Sequence, residues 1–458
     1  MAYEVGKNYE DSIARLSEVC IENDRIDQQL YYDYDVKRGL RDANGKGVLA
    51  GLTEISDIVA KKLDENGNDV PDWGRLYYRG YDVKDLVKGF AEYDNHCGFE
   101  ETSYLLLFGK LPTASELKLF IQMLGEFRSL PNKFVRDFIM KAPCADMMNS
   151  MQRSILTLYQ YDPKADDITI SNVLRQCIQM IAQFPLLGCY AYQTYRHYYQ
   201  EDNLVIRNPK KNLSTAENIL RLLREEGEFT DTEVRVLDIC LALHAEHGGG
   251  NNSTFTTHVV SSSGTDTYSS MAASLGSLKG PRHGGANIRV TRMITDLKNE
   301  LGKKAYTSES AVRDYLQKLL RGEAFDRSGL IYGIGHAVYS LSDPRCEILK
   351  EYAHTLSAEQ GFDKEFALYE TIERLAPEVI AAERRIYKGV SANVDFYSGL
   401  VYQMLGIPEE LFTPLFAMAR VSGWSAHRLE ELSNKGRIIR PAYKNVQSHL
   451  EYIPMKER

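Results

Sequence analysis

From residue 83 to residue 432, apolar side chains recur at three- and four-residue spacing with few interruptions, and this period constrains the fold more than any other feature. A strand needs alternation of period two, so a chain patterned this way buries its apolar stripes helix against helix. The spacing predicts helices over 83–90, 99–108, 114–127, 133–140 and 145–161, separated by short polar or Pro-containing joints. Residues 167–199 are apolar on most faces and carry Pro185 near the middle, which predicts a kinked, deeply buried helix pair. Further helices are predicted over 216–223, 232–247, 251–260, 267–278, from 284 onward, and over 308–320, 347–360, 364–387, 393–405 and 413–432. Only between 47 and 80 does the texture change, to short β-favouring runs split by DENGNDVPDWG, whose Asn-Gly and Pro-Asp pairs signal turns and so a small β-ribbon. Residues 11–30 read as a charged surface helix or arm, and the whole as an all-α fold without a fixed-period repeat.

Composition removes several function classes. With 458 residues and 43% apolar content the chain can bury a large core, in two or three domains by length. A net charge of −8 leaves no basic excess for nucleic acid, so anionic ligands need local arginines. Seven cysteines without CxxC spacing mark neither a zinc knuckle nor a disulfide framework, and fit a reducing cytoplasm. The N-terminal sixteen residues, MAYEVGKNYEDSIARL, lack the apolar stretch of a secretory signal, and no run is long enough to predict a transmembrane helix.

Four glycine- or proline-flanked sites carry polar residues out of the apolar helices: LHAEHGGGNN with His244 and His247, GPRHGGAN with His283, GIGHAVYSLSDPR with His336 and Arg345, and NVDFYSG with Asp395. His283 sits beside a helix start, where partial positive charge favours a neutral imidazole able to donate a hydrogen bond to developing negative charge. Asp395 opens an otherwise apolar helix, where a carboxylate either caps the helix or is used. Competing motifs fall away. His244 and His247 are three apart where the metalloprotease spacing is four, and no third ligand is marked. HGGG imitates a lipase oxyanion segment, yet the chain holds no GxSxG. Gly333-Ile334-Gly335 runs into Val338 where a dinucleotide fingerprint wants its third glycine.

Taken together and in this order, the segments resemble the citrate synthase family, from about Gly47 through GRLYYRGYDV to the RIIRPAY segment. The resemblance implies that His283, His336 and Asp395 form the catalytic triad. It implies that His247, Arg345 and Arg420 bind oxaloacetate, that Arg440 does so from the neighbouring subunit of a homodimer, and that Ile331, Gly333, Ile334 and Gly335 lie on the coenzyme A side. Acetyl-CoA and oxaloacetate are then substrates, with no cofactor, metal, nucleic acid or membrane required. Two departures stand out: the family commonly has DHE where this chain has Glu246-His247-Gly248, and often a basic residue where this chain has Ser340.

The chemistry fits those residue types. A thioester methyl is a weak acid, so Asp395 removes its proton only if His283 meets the forming enolate oxygen, and His336 then serves the ketone oxygen under attack. Guanidinium forks match the two carboxylates of oxaloacetate. A closing lid is required to protect the thioester, which predicts an N-terminal arm (1–45), a large helical domain (46–283 with 394–458) and a smaller inserted helical domain (284–393) that closes over it. Rival expectations are a 2-methylcitrate synthase using propionyl-CoA, a non-catalytic helical scaffold binding coenzyme A or a partner, and a metal enzyme.

Overall fold

The helical period is realised almost throughout the computed structural model, which describes residues 10–42, 46–92, 97–335, 338–384 and 389–458. Two units are distinct, Met1–Leu52 and Thr53–Arg458. The first carries α1 (Glu10–Asn23) and α2 (Gln28–Asp33), neither of which buries a residue. The second begins with strands β1 (Ser56–Leu63), β2 (Asp69–Tyr78) and β3 (Tyr81–Asp82), followed by α3 (Val83–Glu92), α4 (Gly98–Phe108), α5 (Ala114–Phe127), α6 (Met147–Leu158) and α7 (Ile170–Tyr199). Next come α8 (Thr215–Leu223), α9 (Asp231–His244), α10 (Asn252–Ser261), α11 (Thr267–Lys279), α12 (Ala286–Leu301) and α13 (Glu309–Leu320). The chain continues with α14 (Pro344–Gln360), α15 (Asp363–Arg384), α16 (Val394–Met404) and α17 (Phe412–Ser433). Among the described residues no helix is long and apolar enough to cross a membrane.

Several boundaries are set by local chemistry. Thr113, Ser214 and Thr230 each cap a helix reciprocally with the glutamate three residues on, closing α5, α8 and α9 at their N-termini. The β-ribbon is an antiparallel sheet in the order β1-β2-β3, with a bulge between Val59 and Lys61. Asp64 tightens its hairpin by accepting from the backbone N–H of Asn66 and of Asn68, both at 2.8 Å. The strand β2 starts earlier than turn chemistry predicts and runs through Pro71. That proline is tolerated because β3 pairs only with Tyr77 and Tyr78, leaving one side of β2 open at Pro71.

Three predicted elements differ. Within residues 167–199 the chain forms one helix of 30 residues, Ile170–Tyr199, not a pair. An interior proline costs about 3 kcal/mol in a helix, but α7 is clasped by α5, α6, α8 and α17, and Pro185 itself is buried. Burial on several sides outweighs the lost hydrogen bond. Residues 133–140 give only the π-helical turn Val135–Ile139. The helix expected over 232–247 stops at His244, so His247 stands on a loop.

The deepest packing places the functional segments. Helix α17 lies against α4, α7, α9, α10 and α11, with Trp424 and Arg420 at 0% exposure, while α16 lies between α12 and α14. Gly399 permits the close approach of α16 to α12, because a Cβ there would collide with Thr291 Oγ1 and sit 3.3 Å from the Asn287 carbonyl oxygen. Gly399→Ala is therefore expected to destabilise the fold by roughly 1–3 kcal/mol, read as a lower denaturation midpoint in urea. An unchanged midpoint would show that this contact yields without strain.

Candidate active site

The site assembles from three loops that open helices, with one long helix behind them. His283 precedes α12 in a tight turn in which its own N–H and that of Gly284 both donate to the Gly280 carbonyl, at 2.9 and 3.1 Å. Gly284 is confined there. A Cβ would collide with the Leu278 carbonyl, and the Gly284 carbonyl accepts from Thr413 Oγ1 at 2.9 Å, so the start of α17 latches the turn.

The His283 ring is oriented by Ser253, at the start of α10. Ser253 Oγ lies 3.1 Å from Nε2, and the Ser253 N–H donates to the same nitrogen at 3.4 Å. Trp424 Nε1 donates to Ser253 Oγ at 3.1 Å and holds that hydroxyl in place. With the Ser253 backbone N–H donating to Nε2, a neutral ring carries its proton on Nδ1, which leaves Nδ1–H as the donor. Burial, and then the nearby Arg420 charge, lower the pKa of His283 to about 4, so the ring is neutral at pH 7.

Asp395 sits in the first turn of α16, behind the N-cap Asn393 whose side chain accepts from the Asp395 N–H at 3.0 Å. Burial raises its pKa to about 6, opposed by Arg345 and Arg420 and assisted by Asp343. At neutral pH it is a carboxylate poised to take a proton.

Arg345 lies in the first turn of α14. Asp343, the N-cap of that helix, engages it at 3.0 Å (Nε) and 2.7 Å (Nη2), with both side chains at or below 3% exposure. The same Asp343 carboxylate accepts from the Val394 N–H at 3.2 Å, tying Arg345 to the segment that carries Asp395. Arg420, on α17, donates from Nε to the His244 carbonyl at 2.7 Å and lies 4.7 Å from the Phe416 ring centroid. Its Nη1 and Nη2 are buried without a hydrogen-bond partner among the described residues. Burial lowers its pKa to about 10, with Glu246 and Tyr78 opposing the drop. It stays charged, with two vacant donors.

His247 stands on the loop after α9, 5.6 Å edge-on to the Tyr339 ring. The sheet fixes that loop. Tyr78 Oη, at the end of β2, lies among the carbonyls of Ala242, Leu243 and Glu246 at 3.2, 3.2 and 3.0 Å, and offers its one hydroxyl hydrogen to carbonyls the ending helix leaves over. The neighbouring His244 is fully buried and held neutral, first by burial and then by Arg345 and Arg420.

Of the residues expected on the coenzyme A side, Ile331 is buried, and Gly333 adopts φ +78 where a Cβ would press on Val290 and Phe396. Ile334 bridges to Ala392, and Gly335 N–H donates to the Ser391 carbonyl at 2.8 Å. Asn393 returns the tie through its N–H to the Gly333 carbonyl at 2.9 Å and its Nδ2 to the Gly335 carbonyl at 2.8 Å. His336 itself lies outside the described residues.

Arg440 is not gathered into the site of its own chain. It is exposed on the extended segment after α17, where the adjacent Ile439 N–H donates to Ser262 Oγ at 3.1 Å, beyond the far end of α10 from Ser253. The structure thus converges His283, Asp395, Arg345 and Arg420, with Arg420 as the common electrostatic neighbour. It adds residues that pattern reasoning overlooked. Asp343 was visible as the acid of a D-P helix start, whereas Ser253, Trp424 and Glu246 become legible only in three dimensions.

Comparison with known proteins identifies the family. Residues 40–442 match the family described as the citrate synthase C-terminal domain. A citrate synthase of Synechocystis sp. is 36% identical over 417 residues, covering 89% of this chain and 93% of that one. A 2-methylcitrate synthase of Shewanella oneidensis is 34% identical, covering 93% and 100%. The crystal structure of Pyrobaculum aerophilum citrate synthase superposes with a TM-score of 0.74 at 31% identity over 92% of this chain and 95% of its own. The Thermoplasma acidophilum enzyme, solved as a ternary complex with carboxymethyl coenzyme A and oxaloacetate, gives 0.73 at 25% identity, covering 92% and 99%. The chain belongs to the citrate synthase family and is a condensing acyltransferase of that kind.

Proposed function

We propose that this chain condenses acetyl-CoA with oxaloacetate and hydrolyses the citryl thioester to citrate and coenzyme A. The observation that carries the proposal is the buried Arg420 guanidinium, whose Nη1 and Nη2 have no partner among the described residues, in the shared field of Asp395 and His283. A buried, unpaired cation is costly unless an anion completes it, and a dicarboxylate does so.

In this scheme Arg420 and Arg345 hold oxaloacetate with His247, and the acetyl methyl faces Asp395. The carboxylate takes the methyl proton while His283 Nδ1–H stabilises the enolate oxygen, and the carbon then attacks the ketone as His336 supplies its oxygen with a proton. Neutral His283 is the form this step needs, because it donates one hydrogen bond without adding a charge that would drain Asp395 of basicity. The segment 284–393 is proposed to close as a smaller domain over the large one. The exposed Arg440 is proposed to complete the site of a second subunit in a homodimer. The four buried thiols Cys177, Cys189, Cys240 and Cys346 fit a reducing cytoplasm. The proposal needs no metal.

The primary test is release of free thiol from acetyl-CoA. It is expected only when oxaloacetate is present, and Asp395→Asn is expected to lower the rate by roughly 10²–10⁴-fold, the usual loss on removing a general base. Oxaloacetate-independent release, or an active Asp395→Asn variant, would remove the scheme. The pH profile gives a second check. Asp395 works ionised and its pKa is raised to about 6, so kcat/KM is expected to be flat near pH 7.5 and to fall as pH drops through about 6. Because His283 titrates at about 4, it adds no limb above pH 5. A profile that stays flat down to pH 5 would exclude Asp395 as the base.

Relatives of both kinds lie at similar identity, so the acyl group needs its own measurement. Initial rates at matched concentrations are expected to favour acetyl-CoA over propionyl-CoA by about tenfold, the scale of one methylene in a fitted pocket. The reverse preference would make the chain a 2-methylcitrate synthase with the same catalytic set.

A further inference from the structure

Behind the site, on the far side of Glu246, a line of four side chains crosses from α17 to α10 and back. Glu431 Oε2 lies 2.9 Å from His258 Nδ1, His258 Nε2 lies 3.1 Å from His427 Nδ1, and His427 Nε2 lies 3.1 Å from Glu246 Oε1. His427 and Glu246 are wholly buried, and His258 and Glu431 are 14% and 15% exposed. A third carboxylate, Glu430, places Oε2 3.8 Å from His427 Nδ1, while its other oxygen accepts from the Glu54 N–H at 2.8 Å.

Donor accounting decides what the two rings carry. An ionised carboxylate only accepts, so the His258 nitrogen facing Glu431 and the His427 nitrogen facing Glu246 both bear hydrogen. If both rings were neutral, the two nitrogens facing each other at 3.1 Å would both be bare lone pairs, which repel. If both were charged, two N–H groups would collide head-on. One proton between them resolves the contact.

We infer that His258 and His427 share a single extra proton, forming an imidazolium–imidazole pair that holds Glu246 in place and thereby positions the His247 loop. His427 is the charged partner, donating to both Glu246 and His258, and His258 is the neutral one, donating to Glu431. Burial and the neighbouring His427 charge lower the pKa of His258, as a second proton on the pair would be resisted. The carboxylates facing the pair are Glu246 from the loop after α9 and Glu430 and Glu431 from α17. Arg79, beyond Glu430, is the further cation on that side.

The link to the site runs through Glu246. Its Oε1 accepts from the Gly248 N–H at 2.6 Å and from Ser56 Oγ at 2.9 Å as well as from His427, so the charged ring completes a three-donor anchor on either side of His247. Its Oε2 lies where a Cβ on Gly423 would collide with it, so the carboxylate is wedged against α17 one turn beyond Arg420. His258 and His427 are positioning residues in this assignment, and only their effect on His247 depends on the proposed function.

The test combines spectroscopy with kinetics on the full chain. Nitrogen-15 histidine spectra at pH 7, assigned with His258→Leu and His427→Gln, are expected to show His427 protonated on both nitrogens and His258 on Nδ1 alone. Two neutral rings would overturn the assignment. So would about one equivalent of a divalent metal in the purified protein, since the two facing nitrogens and Glu430 could hold one. In the kinetic arm His258→Leu is expected to raise the oxaloacetate KM about tenfold with a smaller change in kcat, the scale of losing a hydrogen bond to a charged group. His258→Arg, which restores a fixed cation facing the same carboxylates, is expected to recover most of that loss. An unchanged KM in His258→Leu, or no recovery in His258→Arg, would remove the positioning role. If wild-type chain shows no oxaloacetate-dependent thiol release, the proposed function fails while the proton assignment is still decided by the spectra.

Discussion

A guanidinium sealed at the centre of a helical protein is the constraint from which the rest of this site follows. Arg420 is at 0% exposure, spends Nε on a helix-end carbonyl and keeps Nη1 and Nη2 without a partner among the described residues. Removing such a charge from water is expensive, and its pKa falls to about 10 as a result. Its field then acts on its neighbours. It helps hold His283 neutral, limits how far burial can raise Asp395, and helps keep Glu246 ionised at a pKa of about 2, where His427 is the larger influence. Burial and this one cation thus bear together on an uncharged donor, a weakly basic carboxylate and a strongly acidic one.

Small polar anchors keep those groups in register. Asp343 caps α14, pairs with Arg345 and takes the Val394 N–H, so the arginine and the segment carrying Asp395 move together or not at all. Ser253 links Trp424 to His283, and Tyr78 collects the carbonyls at the end of α9. The three-stranded sheet is too small to form a core of its own. Its work is to cap a helix and brace the loop that presents His247, through Tyr78 and Ser56. Each anchor is buried or half-buried, where a hydrogen bond left unmade is worth more than one made in water.

Much of this was legible in the chain, and what failed did so for identifiable reasons. The helical period located nearly every helix because amphipathic burial repeats every turn and is written in local spacing. Pro185 misled, because intrinsic propensity describes an isolated helix whereas α7 is clasped by four others. Pro71 misled for the complementary reason, as its missing donor costs nothing on the open side of β2. His244, His247, His283, His336, Arg345 and Asp395 were singled out by their glycine and proline neighbours, whereas Arg420 and Arg440 entered only through the family resemblance. Local pattern did not reveal what Glu246, Ser253, His258, His427 and Trp424 do, since their long-range partners lie 30 to 190 residues away in sequence.

By itself, then, the sequence determined most of the helices, the glycine-flanked turns and the chemical types at the site, because each is a property of neighbours along the chain. The tertiary structure alone decided which nitrogen of His283 is free to donate, how acidic Asp395 is, and that Arg420 keeps Nη1 and Nη2 without a partner among the described residues. Those properties come from burial and from fields between segments far apart in sequence, and neither exists until the chain has folded.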